Sequence, residues 1–401
     1  MKFSHLSDCH VGSWRDPRLK ELSIEAFRKA IDSSISNDVD FILISGDLFN
    51  NALPSIDNLK IVVKEFQKAR QKGIAVYVIP GSHDYSPSGK TMIDVLEEAG
   101  LARNVFKGHA KHGKLFLQFT IDKKSGAKIT GMLGRRGTLE RSYYEALDIE
   151  SLEKEPGTKI FMFHSAIAEM MPKEFALMDA CPLSFLPRGF EYYAGGHVHI
   201  VKHEDFKDHK NVVYPGPLFP ASFPELESLG NGGFFIYEDG KIRREELNLK
   251  NTFIIDVDAD HKSPQEAYGM ISAEIKDKEF INTIVLIKLH GTLKAGKPSD
   301  INFHDIFEQI YSQGAFYVLK STSRLQSEEF EEVKIEQQDM ESVEDSLIKE
   351  HLSQQKTFPK DKEYVVIKDL MKAFSSEKHE GEKVHEYEDR IRKETDRILD
   401  V

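Results

Sequence analysis

Several short stretches of this chain end in residue types that bind metal ions. They are Asp8-Cys9-His10, Gly46-Asp47, Gly81-Ser82-His83-Asp84, His164 and Gly196-His197-Val198-His199. Carboxylates and imidazoles mixed in this way suit a divalent cation, and manganese or iron better than a magnesium site built from oxygen alone. The glycines stand where a backbone must turn tightly or approach an ion closely. In His197-Val198-His199 the alternation of an extended segment points both imidazoles to one face. Each stretch alone also reads as ordinary turn chemistry, but together they share one setting.

That setting is the end of a β run. Short β-rich runs at 3–7, 41–45, 75–79 and 160–163 precede the stretches, and segments of helical spacing lie between the first three. Phe27, Ala30, Ile31 and Ile35 mark one, and Ile61, Val62, Phe66 and Ala69 the next. Strands alternating with helices imply an α/β layered core with a sheet that is at least partly parallel. In such sheets ligands bind beyond the carboxyl ends of the strands, so the metal-binding residue types fall on one convergent site.

With 401 residues the chain is expected to form two or three domains. The boundaries read as 1–250 for the strand-and-helix region, 251–322 for a compact β-α-β-α-β module and 323–401 for an acid-rich linker merging into helices. The module's strands are expected at 253–257, 284–289 and 316–319, and its helices at 264–276 and 301–312. In the tail, Val343, Leu347, Ile348 and Leu352 form one apolar stripe. Ile367, Leu370, Met371 and Phe374 form a second, and Val384, Tyr387, Ile391 and Ile398 a third. Such stripes suit docking on a partner or packing on one another.

A net charge of −12 excludes a protein that coats nucleic acid through charge alone. No run approaches the roughly 18 apolar residues of a membrane span, and the N-terminus has no apolar signal core. Two cysteines, Cys9 and Cys181, make no disulfide framework. The expected location is the cytoplasm.

The ordered series Asp-x-His, Gly-Asp, Gly-x-His-Asp, His, Gly-His-x-His resembles the calcineurin-like metallophosphoesterase superfamily. "SGDLFN" and "YPGPLFPASFPE" resemble its SbcD, or meiotic recombination 11, nuclease branch. The resemblance covers residues 1–245 well and the small module more loosely. It implies a four-layer α/β metallophosphoesterase sandwich with a small α/β DNA-capping domain and a helical C-terminal tail. It also implies a DNA exonuclease and single-strand endonuclease in double-strand-break repair.

The ligand sets follow from the same resemblance. Asp8, His10 and His199 would hold one metal, His164 and His197 the other, and Asp47 would bridge both, manganese being the expected ion. Ser82 stands where the family places an asparagine ligand to the second metal. His83 would stand beside the scissile phosphate with Asp84 holding its ring. Asn50 replaces a histidine that many members carry. Two cations about 3.5–4 Å apart can bind the oxygens of a phosphodiester and clamp an in-line displacement.

DNA contacts are expected at Arg15, Arg18, Arg135 and Arg136, with Lys20 near the first ligand loop, although a solvated surface accounts for any one of them. The implied partner is the coiled-coil base of an SbcC-like ABC-type ATPase, and a homodimer is compatible with the family. A phosphoesterase of small or cyclic nucleotides, and a weakly catalytic scaffold for the ATPase, remain as alternatives.

Overall fold

Side-chain alternation along the strands decides the layering. Phe3, Phe41, Leu43, Tyr77 and Ile79 point to one face, where they meet Ile129, Ile160, Met162, Tyr192 and Ala194 of a second sheet. Their neighbours Ile42, Ile44, Val76 and Val78 point the other way, onto Phe27, Ile31, Val62 and Phe66. The last four belong to helices Pro17–Ser36 and Ile56–Gln71. Each fully buried side chain of this size contributes about 1.5–3 kcal/mol, so both faces of the sheet must be covered. On the far face of the second sheet, Phe161, Phe163, Tyr193 and Tyr214 pack with Tyr144, Leu152 and Met170. The outcome is the expected four-layer sandwich.

The computed structural model describes residues 1–86, 89–135, 139–172, 179–328, 360–376 and 384–399. They fall into two compact units, Met1–Glu329 and Phe330–Val401. The first sheet runs in the order Lys241–Glu246, Gly233–Glu238, Lys2–Leu6, Phe41–Ser45, Ala75–Ile79, Arg103–Asn104. Its last four strands are mutually parallel. In the second sheet Lys128–Met132, Lys159–His164, Tyr192–Gly196 and Val212–Tyr214 are likewise parallel. The carboxyl ends of both parallel sets therefore open onto a common edge. The strand expected at 160–163 extends one residue further at each end, so His164 lies on the strand itself and not after it.

Within the first unit the small module is a parallel three-stranded sheet of Asn251–Asp258, Thr283–Leu293 and Tyr317–Ser327. Helices Pro264–Ile275 and Phe303–Ser312 cover one face through Ile271, Ile275, Ile306 and Ile310. The other face gives Ile284 and Leu286 to the core cluster that holds Phe27 and Phe66. In the second unit the helices Lys360–Phe374 and Val384–Leu399 are in mutual contact. Met371 and Phe374 are exposed there, whereas Ile367, Leu370, Ile391 and Ile398 are half-buried. The stripe Val343 to Leu352 and Arg136 lie outside the described residues. Among the described residues no helix is long and apolar enough to cross a membrane.

The two sheets are also joined by a polar link. His5 is fully buried, with Nδ1 3.0 Å from Tyr192 Oη and Nε2 3.1 Å from Ser45 Oγ. Ser45 gives its only proton to Ala194 O, so it accepts from Nε2–H and leaves Nδ1 to accept from Tyr192. The neutral ring is thereby satisfied at both nitrogens, and burial pushes its pKa down to about 3. Because the folded value lies below the ordinary one near 6.5, the unfolded chain binds a proton that the fold refuses. Stability is whole above pH 6.5 and falls as the pH drops toward 3, with roughly 2 kcal/mol lost at pH 5. Urea unfolding at pH 7 and pH 5 should show that loss, and His5→Gln should show it reduced by about this amount.

Candidate metal centre

The ligand loops are fixed to one another before any side chain enters. Beyond the strand ends, Asp8 N donates to Gly46 O, His10 N to Asp47 O and Val11 N to Leu48 O, at 3.1, 2.9 and 3.1 Å. These bonds zip the first two loops together. The backbone also turns left-handed at the candidate ligands: φ is 48° at Asp8, 40° at His10, 51° at Asp47, 100° at His197 and 52° at His199. Such conformations cost about 1–3 kcal/mol each outside glycine and persist where the surroundings over-determine them. Gly46 has no alternative, since at φ +85° an added Cβ would stand 2.1 Å from His164 Nδ1.

Asp47 lies at the middle. Its Oδ1 accepts the His83 backbone N–H at 2.7 Å, while Oδ2 lies 3.2 Å from His164 Nε2 and 3.8 Å from His10 Nε2. Asp8 accepts from Ser7 Oγ at 2.6 Å and from His197 N, and its Oδ1 is 3.5 Å from His199 Nε2. His10 and His199 face each other through their Nε2 atoms at 3.1 Å. Three sets therefore bring ligand atoms within 4.8 Å of one another: Asp8 with His10 and His199, His10 with Asp47 and His83, and Asp8 with Asp47 and His164. The His197 ring lies 5.1 Å from that of His164, centroid to centroid, but belongs to none of these sets.

The residues fit divalent cations. His164 Nδ1 lies 2.8 Å from Ser45 O, an atom that only accepts, so the ring proton is there. Nε2 is then a buried lone pair without a hydrogen-bond partner, aimed at the Asp47 carboxylate. Lone pairs opposed in this way need a cation between them. Without a metal a proton takes the place: burial alone would lower the His164 pKa, yet Asp47 and Asp8 raise it to about 9. Burial drives His10 and His197 down to about 4, which keeps both neutral and free to ligate. The Asp47 carboxyl is disfavoured by burial but held below the usual range by His164 and His10.

His83 and Asp84 depart from expectation. Asp84 does not hold the His83 ring. Its two oxygens accept the backbone N–H groups of Leu48, Phe49 and Gly81 at 3.0–3.1 Å, which ties the two loops bearing Asp47 and His83. Burial and the neighbouring Asp47 charge push its pKa up to about 6. The His83 ring is held instead by the main chain, with Nδ1 2.9 Å from Asn50 O. This bond does not depend on the Asn50 side chain.

Ser82 Oγ donates to Asp47 Oδ2 at 3.4 Å. An asparagine carbonyl would reach one carbon further, so Ser82→Asn should tighten the weaker of two manganese affinities and leave the tighter one alone. Titration calorimetry checks this, and two unchanged affinities would remove Ser82 from the ligand set.

Of the expected DNA contacts, Arg18 is used otherwise. Its guanidinium lies 4.4 Å over the Tyr317 ring and 5.6 Å from that of Tyr311 and donates to Phe316 O, clamping the small module to the first helix. Arg135 lies over Tyr85 at 4.7 Å and donates to Tyr143 Oη. It directly follows Gly134, where an added Cβ would stand 2.3 Å from His164 Cδ2. Arg15 is exposed and Lys20 half-buried. The sequence reading missed Glu225, whose Oε2 is 3.2 Å from His199 Nδ1.

The sequence model of the calcineurin-like phosphoesterase family matches residues 1–201. The chain belongs to this family. Among relatives of this calcineurin-like phosphoesterase is the DNA double-strand break repair protein Mre11 of Archaeoglobus fulgidus, 25% identical over 344 residues, with 77% of this chain and 75% of that one covered. The protein of the same name from Methanococcus maripaludis is 27% identical over 298 residues, covering 69% and 76%. The uncharacterized metallophosphoesterase YhaO of Bacillus subtilis is 26% identical over 257 residues, covering 59% and 57%.

Proposed function

We propose that this calcineurin-like phosphoesterase is a metal-dependent DNA nuclease of double-strand-break repair that cleaves phosphodiesters with two divalent cations, manganese by preference. The observation that carries the reading is the shared carboxylate: Asp47 Oδ2 faces His164 on one side and His10 on the other. Asp8, His10 and His199 would hold one ion, and His164 and His197 the other. When bound, such ions supply Lewis acidity toward phosphate oxygens and make hydroxide available near neutral pH. The chain's own residues do the rest. Asp84 fixes the loop pair, Asn50 O orients His83, and His83 Nε2 is left to hold or deliver a proton at the leaving oxygen. Arg135, on the residue after Gly134, suits a phosphate contact that positions a strand without reading its sequence.

The relatives named for repair of DNA breaks favour a DNA substrate over a small nucleotide, and so does a separate module of three strands and two helices. The exposed Val365, Met371 and Phe374 on the Lys360–Phe374 helix suit docking on an SbcC-like ABC-type ATPase. Exonuclease and single-strand endonuclease action are both part of the proposal. Digestion of linear duplex, plasmid and single-stranded DNA with manganese, beside bis(p-nitrophenyl) phosphate, tests it. Hydrolysis of the small diester with every DNA left intact would make this a small-substrate phosphoesterase. Loss of both activities would make it a scaffold.

A further inference from the structure

The His199 ring uses its two nitrogens differently. Nε2 faces Asp8 Oδ1 at 3.5 Å and His10 Nε2 at 3.1 Å. Nδ1 faces away from the ligand cluster, toward Glu225 Oε2 at 3.2 Å. A carboxylate only accepts, so the ring proton belongs on Nδ1 and the Nε2 lone pair is directed at the Asp8–His10 side. Among the described residues no lysine or arginine lies within ion-pair distance of Glu225, which leaves the imidazole N–H as the group that faces its charge.

Local structure keeps this carboxylate in place. Glu225 is the third residue of the helix Phe223–Leu229, capped by Ser222. Its Oε2 accepts Ala221 N and its Oε1 accepts Ser222 Oγ, both at 2.9 Å. Fully buried Leu226 anchors the helix in the core, and Lys288 of the small module holds Glu227 at 2.6 Å. The side chain therefore cannot swing away from His199. The opposite ligand is backed differently, since His164 Nδ1 lies on the neutral Ser45 carbonyl.

We infer that Glu225 is a positioning residue for His199, fixing its tautomer and strengthening it as a ligand, so that the Asp8–His10–His199 side binds a divalent cation more tightly than the His164 side. This rests on the metal-binding reading of the centre. A carboxylate behind a ligating imidazole sets the ring's orientation and raises its basicity, and removing such a partner costs about 10–100-fold in metal affinity. The structure separates this role from that of the helix cap, because the cap is Ser222 Oγ accepting the backbone N–H of residue 225, which glutamine keeps, whereas glutamine brings no charge to Nδ1.

The test is manganese titration calorimetry and metal-free thermal melting of the full chain, wild type beside Glu225→Gln and Ser222→Ala. Glu225→Gln should weaken the tighter of the two sites about 10–100-fold, leave the other site alone and melt close to wild type. Ser222→Ala, which loosens the helix start and keeps the charge, should melt lower with both affinities intact. Equal affinity losses in the two variants would assign the effect to helix placement and overturn the inference. So would a Glu225→Gln protein that binds like wild type. A wild-type chain that takes up no manganese would instead overturn the metal reading itself, and this inference with it.

Discussion

Asp47→Asn is expected to lower turnover on both DNA and bis(p-nitrophenyl) phosphate by about 10³-fold, or about 4 kcal/mol of barrier. Asparagine is the informative replacement because residue 47 has φ 51°, a left-handed conformation that asparagine tolerates and alanine does not. The amide oxygen can still accept the His83 backbone N–H that Oδ1 now accepts at 2.7 Å, so the loop geometry survives. What is removed is the charge on the oxygen between His164 and His10. Breaking a buried ion pair by deleting one partner costs about 3–5 kcal/mol, and on the proposed two-cation reading both positions would lose their common anion. A second readout needs no metal and no substrate. Burial lowers His164 and the Asp47 charge raises it to about 9, so the imidazole should titrate well below 9 in the metal-free variant, followed by NMR. Retention of more than about a tenth of wild-type turnover would show that no shared carboxylate is needed.

The convergence of Asp8, His10, Asp47, His83, His164 and His199 was legible because these residues stand in chain order at strand ends, and strand ends can be read from hydrophobic runs. Glu225 was hidden by a competing meaning. Ser222 followed three residues later by Glu225 has the spacing of a helix start, and Ser222 Oγ does accept Glu225 N while the carboxylate accepts Ala221 N and Ser222 Oγ; nothing in the spacing announces that the same carboxylate reaches His199. Asp84 shows another limit. A carboxylate beside a histidine suggests a pair, yet its partners are the backbone N–H groups of residues 48 and 49, and every residue type offers such groups. Arg18 was read as a free cation because its aromatic partners, Tyr311 and Tyr317, lie in the small module. Contacts between distant elements leave no local pattern. The four layers were legible through the family resemblance, and alternation on Phe41–Ser45 and Ala75–Ile79 explains why that architecture holds.

His83→Ala should slow turnover about 10²–10⁴-fold, the usual contribution of a positioned proton donor, while KM and the number of bound manganese ions stay as in wild type. The substitution is clean because the two parts of His83 have separate jobs. Its backbone N–H holds Asp47 Oδ1 and survives in alanine. Its ring, half-buried and packed edge-on against His10 at 4.9 Å, is fixed at Nδ1 by the Asn50 carbonyl, which leaves Nε2 as the atom that exchanges a proton. The Nδ1 bond is present whether the ring is neutral or charged, so protonation changes Nε2 without moving the ring. The competing role is concrete, since a His83 ring nitrogen lies within 4.8 Å of ligand atoms on His10 and Asp47. If His83 is a ligand, the variant loses bound manganese together with activity. If it only binds substrate, KM rises with kcat unchanged. A drop in kcat alone, at full metal content, is the result that places His83 at the reacting phosphate.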